Sequence, residues 1–461
     1  MIEMLPENIL LDIFDFYRLD TMELSRGRPW KWHHLAHVCR KWRYIVSISQ
    51  HRLDLRILCG YGAPIESILG SWPTFPLVIK FNTTRKSKPM PKNILVALRC
   101  PDRICEINLT LTSSMTGPIV ELIQKPCPAL EKVRITVKDA MGLSSMPAHD
   151  AFLGGCAPHL REIELHGIAL PFPAIRQVLS SANNLVELHL SNIPNAVYFS
   201  PIDLITGLST LGQLKRLTIG FHSPTSHPAP STTRRSRPPR PTTLPSLEFL
   251  DFHGANEYLE EFVARIDLPA LRKITVKLFN CFSFEIPQFS QFISHQKLNV
   301  LWSPTLVLVT HTAESVSVFL IQEENPSPDE HCCLGTSCRR LDQQLSFVTQ
   351  ILSQLSPLLS SVAKLTFVTH SEMLNGKEDV EPTQWLELFQ LFTHVREIHV
   401  FDQLVPDVVQ ALVTEDMDMG VLPELTSVIL NGYRKYPSVA KAAEEFVVTR
   451  RLSGRTIFLL G

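Results

Sequence analysis

One arrangement of apolar positions recurs along most of this chain. An apolar residue is followed by two variable residues, a second apolar residue, one variable residue and a third apolar residue. It stands at Ile104/Ile107/Leu109, Leu130/Val133/Ile135, Leu160/Ile163/Leu165, Leu185/Leu188/Leu190, Leu214/Leu217/Ile219, Leu247/Leu250/Phe252 and Leu271/Ile274/Val276. It returns at Val362/Leu365/Phe367, Val395/Ile398/Val400 and Leu425/Val428/Leu430. The closing step alternates with period two, which predicts a short strand with one face in a core. Counting the first apolar residue as position one, positions three, five and seven then point outward. These are Lys132, Arg134 and Thr136 in one strand, and Glu162, Glu164 and His166 in the next. Glu187, His189 and Ser191 follow, then Phe249, Asp251 and His253, then Lys273, Thr275 and Lys277.

Starts of the first seven instances lie 26, 30, 25, 29, 33 and 24 residues apart. That is the spacing expected of leucine-rich repeats, each a strand plus a helical or irregular return. One unit cannot bury its apolar face alone, whereas stacked units bury it continuously. Cys127-Pro128-Ala129-Leu130, Ala157-Pro158-His159-Leu160, Leu244-Pro245-Ser246-Leu247 and Leu268-Pro269-Ala270-Leu271 precede four of the strands. There proline is expected to end the return and set the chain extended. Between Leu278 and Ser361, 306–309 and 316–321 read as strands without a repeat phase. Asn is missing after most strands, so the expectation is an α/β chain with a degenerate, irregular horseshoe. A conventional α/β domain with a parallel sheet is the alternative.

The first 55 residues follow a helical period instead. Pro6 and Glu7 suit a helix start, where a missing N–H costs nothing and an acid meets the positive helix end. Ile9, Leu10, Ile13, Phe14 and Tyr17 recur at three- and four-residue spacings. Leu35, Val38 and Cys39 supply a second short helix, and Trp42, Ile45 and Val46 a third. Three helices this short cannot bury so much apolar surface among themselves, so part of it is expected to meet a partner.

The opening Leu5-Pro6-Glu7-Asn8-Ile9-Leu10-Leu11-Asp12-Ile13-Phe14 and the block Val38-Cys39-Arg40-Lys41-Trp42-Arg43 resemble the F-box-like domain common in mushroom-forming fungi. The resemblance covers roughly residues 3–58. It implies that Leu5, Pro6, Ile9, Leu10, Ile13, Phe14, Val38, Cys39 and Trp42 pack the module or dock a Skp-type adaptor, and through it a cullin. A long polar and basic connection between Leu19 and Trp32, and Leu53-Asp54-Leu55 at the end, depart from the family pattern. An ordinary amphipathic bundle is the alternative.

Length and charge narrow the choices. At 461 residues the chain exceeds one ordinary core. The expected division is 1–58 for the helical module, 75–221 and 246–461 for two parts of the repeat array, and 222–245 for a disordered loop. That loop holds seven Pro, four Arg and no acid. Within it, Arg235-x-x-Pro238-x-x-Pro241 matches a minimal polyproline ligand. A formal charge of -1 gives no electrostatic case for nucleic acid. Neither a basic leader nor an uninterrupted apolar span is visible, so a cytoplasmic or nuclear protein with no membrane partner is expected. Ten scattered cysteines fit reduced thiols. His331-Cys332-Cys333 with Cys338 lacks a second ligand pair, and no metal or other cofactor is expected.

No Gly-x-Ser-x-Gly elbow, phosphate loop or His-Glu-x-x-His helix occurs. The F-box-like resemblance then implies a non-enzymatic substrate-recruiting subunit of a Skp–cullin–F-box ubiquitin ligase. Its repeats would hold an unknown target protein, on a face including Lys132, Arg134, Glu162, Glu164, His166, Phe249, Asp251 and Lys273. An exposed Phe249 is the expected hot spot. A scaffold outside any ligase is the alternative, and an intracellular hydrolase with an unrecognised site a weaker one.

Overall fold

A computed structural model of the chain describes residues 5–25, 33–50, 52–60, 65–83, 91–138, 151–222, 241–279, 285–295, 303–322, 331–369, 380–414, 421–432, 437–452 and 454–461. The chain separates into two compact units, Met1–Leu190 and Ser191–Gly461.

The first unit opens with α1 (Glu7–Ser25), α2 (His33–Ala36) and α3 (Arg40–Ile48). Helix α1 starts where the sequence places it, with the Leu10 N–H donating to the Pro6 carbonyl at 3.1 Å. Cys39 caps α3, its Sγ accepting from the Trp42 N–H at 3.4 Å. Strands β1 (Ile57–Cys59), β2 (Leu77–Asn82), β3 (Ile104–Leu111), β4 (Lys132–Val137), β5 (Glu162–His166) and β6 (Glu187–Ile193) follow in spatial as well as chain order. Pairing is parallel from β1 to β5. The ladder thus begins at Ile57, inside the span assigned from sequence to the helical module and before residue 75. Leu53 and Leu55, at 0% and 1% exposure, bury the connection that joins α3 to β1.

The second unit holds β7 (Arg216–Phe221), β8 (Thr242–Thr243), β9 (Phe249–Gly254), β10 (Ile266–Asp267), β11 (Lys273–Leu278), β12 (Leu306–His311), β13 (Val316–Ile321), β14 (His331–Thr336), β15 (Lys364–Thr369), β16 (Glu397–Phe401), β17 (Ser427–Asn431) and β18 (Phe458–Leu460). Its main ladder runs β7-β9-β11-β14-β13-β12-β15-β16-β17-β18. All pairs there are parallel except β14–β13 and β13–β12, so β13 alone runs backwards. This meander is why the repeat phase disappears after Leu278. A three-strand excursion there replaces the one-strand repeat, and alternation in sequence carries no strand direction.

All thirty apolar positions of the ten motif instances are buried, at 4% exposure or less. The proline motifs act differently from the expectation of simple extension. In each, the fourth residue donates its N–H to the carbonyl of the first: Leu130 to Cys127 at 3.1 Å, Leu160 to Ala157 at 3.2 Å, Leu247 to Leu244 at 3.3 Å and Leu271 to Leu268 at 3.1 Å. Proline therefore occupies the second position of a turn, where its fixed φ is suited. One residue past each turn, the backbone N–H bonds back to the preceding unit. Arg161 donates to the Glu131 carbonyl at 2.8 Å and Arg272 to that of Glu248 at 2.8 Å. Turn and bond together set the register of each new strand.

Most of the loop expected at 222–245, with most of its polyproline match, lies outside the described residues. Its last part is folded: Thr242–Thr243 pairs in parallel with Ile266–Asp267, and Leu244 is 1% exposed.

Candidate docking surfaces

Helix α1 carries two apolar faces. Leu10 and Phe14 are fully buried, and the Phe14 ring meets Trp42 edge-on with centroids 4.8 Å apart. The Phe14–Trp42 contact joins α1 to α3, and Leu10 and Phe14, with no exposed surface, offer none to a partner. Trp42 Nε1 is buried with no hydrogen-bond partner. Lys41 adds a tie by donating Nζ to the Leu5 carbonyl at 2.7 Å, and Arg52 another, to Asp12 at 2.8 Å. The other face is uncovered. Pro6 is exposed, Ile9 and Ile13 are each 41% exposed, and Phe16 is 78% exposed. Val38 stands 56% exposed in the turn between α2 and α3, while Leu5 and Cys39 are half-buried, Cys39 acting as a cap. Tyr44 and Ile48, one turn apart on α3, are also exposed. Phe16, Tyr44 and Ile48 were missed in the sequence. The helical period finds apolar residues but does not say which of two adjacent faces the protein itself covers.

The outer face of the first unit is a charge ladder. Register places Lys80, Asn108, Arg134 and Glu164 in one row, and Glu106, Lys132 and Glu162 in the next. Lys80 pairs with Glu106 at 3.3 Å and Lys132 with Glu162 at 3.6 Å. Arg134 bonds Glu162 and also reaches Glu164 at 3.5 Å. The hydrogen bond to Glu162 pushes the Arg134 guanidinium above its ordinary range. Glu162 is thus on the outer face as expected but, at 7% exposure, buried under its two cations. Glu164, His166 and Thr136 stay half-exposed.

In the second unit Phe249, Asp251 and His253 alternate outward along β9, and Lys273, Thr275 and Lys277 along β11. Phe249 is not the open anchor expected. It is half-buried, with the Arg216 guanidinium 4.0 Å from its ring centroid. This is a cation–π contact within the face itself. His253 packs on Phe279 with centroids 4.7 Å apart, and burial, with Lys277 nearby, lowers its pKa.

Cys332 and Cys333 are consecutive on β14, so they point to opposite faces, and burial raises both thiols, Cys333 to about 11. Among the described residues no three His, Cys, Asp or Glu are placed to hold a metal. No described helix is long and apolar enough to cross a membrane.

No family model matches the chain, and no curated protein matches it in sequence. Among solved structures, the leucine-rich repeat-containing protein LegL7 from Legionella pneumophila aligns with 76% of this chain and 99% of its own length. The identity is 14% and the TM-score 0.29, too low to bear on function.

Proposed function

We propose that this chain is a substrate-recruiting subunit of a Skp–cullin–F-box ubiquitin ligase. Helix α1 docks a Skp-type adaptor, the strand ladder holds a target protein, and other subunits transfer ubiquitin. The chain makes and breaks no bond itself; its contribution is proximity. The observation that carries the reading is the exposed stripe Pro6, Ile9, Ile13 and Phe16 on a helix whose adjacent face is already packed by Leu10 and Phe14. Exposed apolar residues at helical spacing fit a partner groove, and a bare Phe is a typical anchor. The resemblance of residues 3–58 to F-box-like domains names the partner. Such a ligase subunit works in the cytoplasm or nucleus.

The test is co-purification of the full chain with a recombinant Skp-type adaptor. A stable complex is expected, weakened at least tenfold by Ile9→Asp with Ile13→Asp at unchanged melting temperature. Absence of a complex, or one indifferent to those changes, overturns the reading. A scaffold outside any ligase is the second reading, supported by the charged outer face of the first unit, which requires no adaptor. Capture of a target by a chain that ignores the adaptor would favour it.

A further inference from the structure

The outer face of the second unit changes character at β14. One row runs in register through Thr275, Cys333, Phe319, Leu308 and Thr366. The row beside it runs through His331, Ile321, Leu306 and Lys364. Phe319, Ile321, Leu306 and Leu308 thus form one apolar cluster on two neighbouring strands. They are half-buried, whereas Val307, Val309, Val318 and Leu320 on the core face of the same strands are 3% exposed or less. Outward positions of a one-sided sheet are normally polar, as Lys80, Asn108, Lys132 and Arg134 are in the first unit. Four aliphatic or aromatic residues at such positions are not needed for the core; the His331 ring lies 5.8 Å from that of Phe319, and the half-exposed apolar patch they form marks a contact surface.

The charge beside the patch gives the chemistry of the contact. Lys273 and Lys277 lie on β11, two and three strands from the cluster, about 10 and 14 Å at ordinary strand spacing. Neither has an ion pair among the described residues. By contrast Lys80, Lys132, Lys215 and Lys364 each pair with a glutamate at 3.0–3.6 Å. Asp251 faces Thr275 between the two lysines, which leaves an excess of positive charge. Cationic positions without an ion pair among the described residues, on the same face as half-exposed apolar positions, complement an acidic and apolar ligand.

We infer that this face takes an extended segment of a partner protein whose aliphatic or aromatic side chains rest on Phe319, Leu308, Ile321 and Leu306 while its carboxylates reach Lys273 and Lys277. The inference rests on the recruiting function proposed above and names the chemistry of the target. Within the outer face of the ladder, it places the contact on the second unit, across β11 and the β12–β14 meander.

The test is selection of random twelve-residue peptides displayed on phage against the full chain, repeated on Lys273→Glu with Lys277→Glu and on Phe319→Ser. Enriched peptides are expected to combine Asp or Glu with Leu, Ile or Phe. Their capture should fall about tenfold on either variant, and the charge-reversed chain should select Lys or Arg instead. If the double lysine variant melts early, Lys277→Glu alone, at an exposed position, serves with a smaller loss. No enrichment, enrichment without acidic residues, preference for single-stranded DNA over every peptide, or equal capture by the variants overturns the inference. Adaptor co-purification on the same variants separates the two proposals. Lost peptide selection with adaptor binding intact sinks this one alone, and retained selection without adaptor binding sinks only the ligase reading.

Discussion

The Nδ1 atom of His311 lies 2.8 Å from the side-chain oxygen of Gln344, and both residues are fully buried. Gln344 donates its amide to the Thr312 carbonyl at 3.0 Å and the Cys338 carbonyl at 2.9 Å. That orients its oxygen toward the ring, so Nδ1 carries the hydrogen and donates. Nε2 is left as a buried lone pair with no partner. The pair joins the β12–β13 turn to the helix Leu341–Gln354, fastening the reversed strand to the core.

Burial, only partly opposed by the bond to Gln344, lowers the His311 pKa to about 4. Its value in the unfolded chain is near 6.5, so below that pH the unfolded state binds a proton that the folded state refuses. Stability from this residue is complete above about pH 7 and is lost as the pH falls from about 6.5 to about 4, at up to about 1.4 kcal/mol per unit. Urea midpoints measured from pH 7.5 to pH 5 are expected to fall with that slope. His311→Leu should flatten the slope while lowering stability at pH 7, because Gln344 loses a partner. An identical pH profile in that variant would show that another group titrates.

Neighbouring residues of α1 are expected to behave oppositely. Leu10→Ala and Phe14→Ala remove fully buried side chains and should each cost about 2–5 kcal/mol in the first unit. Ile9→Ala and Phe16→Ala, at 41% and 78% exposure, should leave stability within about 0.5 kcal/mol. Chemical denaturation of the four single variants checks this. A large loss at Phe16 would mean that the protein itself covers the stripe proposed for the adaptor.

The same contrast shows how far the sequence could be read. The strand motif was legible because three positions must be apolar in every copy, and all ten instances are strands or lead into them. Outward positions followed from the period of two. What the period could not give was pairing on that face. Arg134 alone could be matched to Glu164 across one strand, but its closer partner Glu162 is a diagonal neighbour. Nor could it reveal that Arg216 covers Phe249, since Arg216 precedes it by one repeat and a cation–π contact leaves no spacing signal. The meander β12–β14 was hidden because a reversed strand alternates like a forward one.

Two glycines in the first unit make a matched test of backbone constraint. Gly154 has φ +58°, and a Cβ there would stand 2.5 Å from the Pro126 nitrogen. Gly154→Ala therefore meets both left-handed strain and rigid backbone, and is expected to cost at least about 1–3 kcal/mol. Gly70 lies in the helix Ile65–Ser71 with nothing within 4 Å of a new Cβ. Gly70→Ala should stabilise by up to about 1 kcal/mol. Equal effects at the two sites, by urea denaturation, would contradict the geometry.

Glu162 carries the last test because its two cations differ from it in exposure. Its side chain is 9% exposed, against 42% for Arg134 and 45% for Lys132. Losing the carboxylate leaves cations that reach water, whereas losing the cations leaves a carboxylate that does not. The double change Arg134→Ala with Lys132→Ala is therefore expected to cost more than Glu162→Gln, because a buried charge without a partner is the expensive case. The coupling between Arg134 and Glu162 in a double-mutant cycle should be only about 0.5–1 kcal/mol, since the half-exposed guanidinium is screened, and should shrink in added salt. This bears on how target binding is probed. Arg134→Ala would disturb Glu162 as well as any ligand, so Glu164→Gln, 41% exposed and reached by Arg134 alone among the ion pairs, is the cleaner substitution on this face. If Glu162→Gln proves the costlier change, the ladder is held by the carboxylate's attraction and not by the need to cover it.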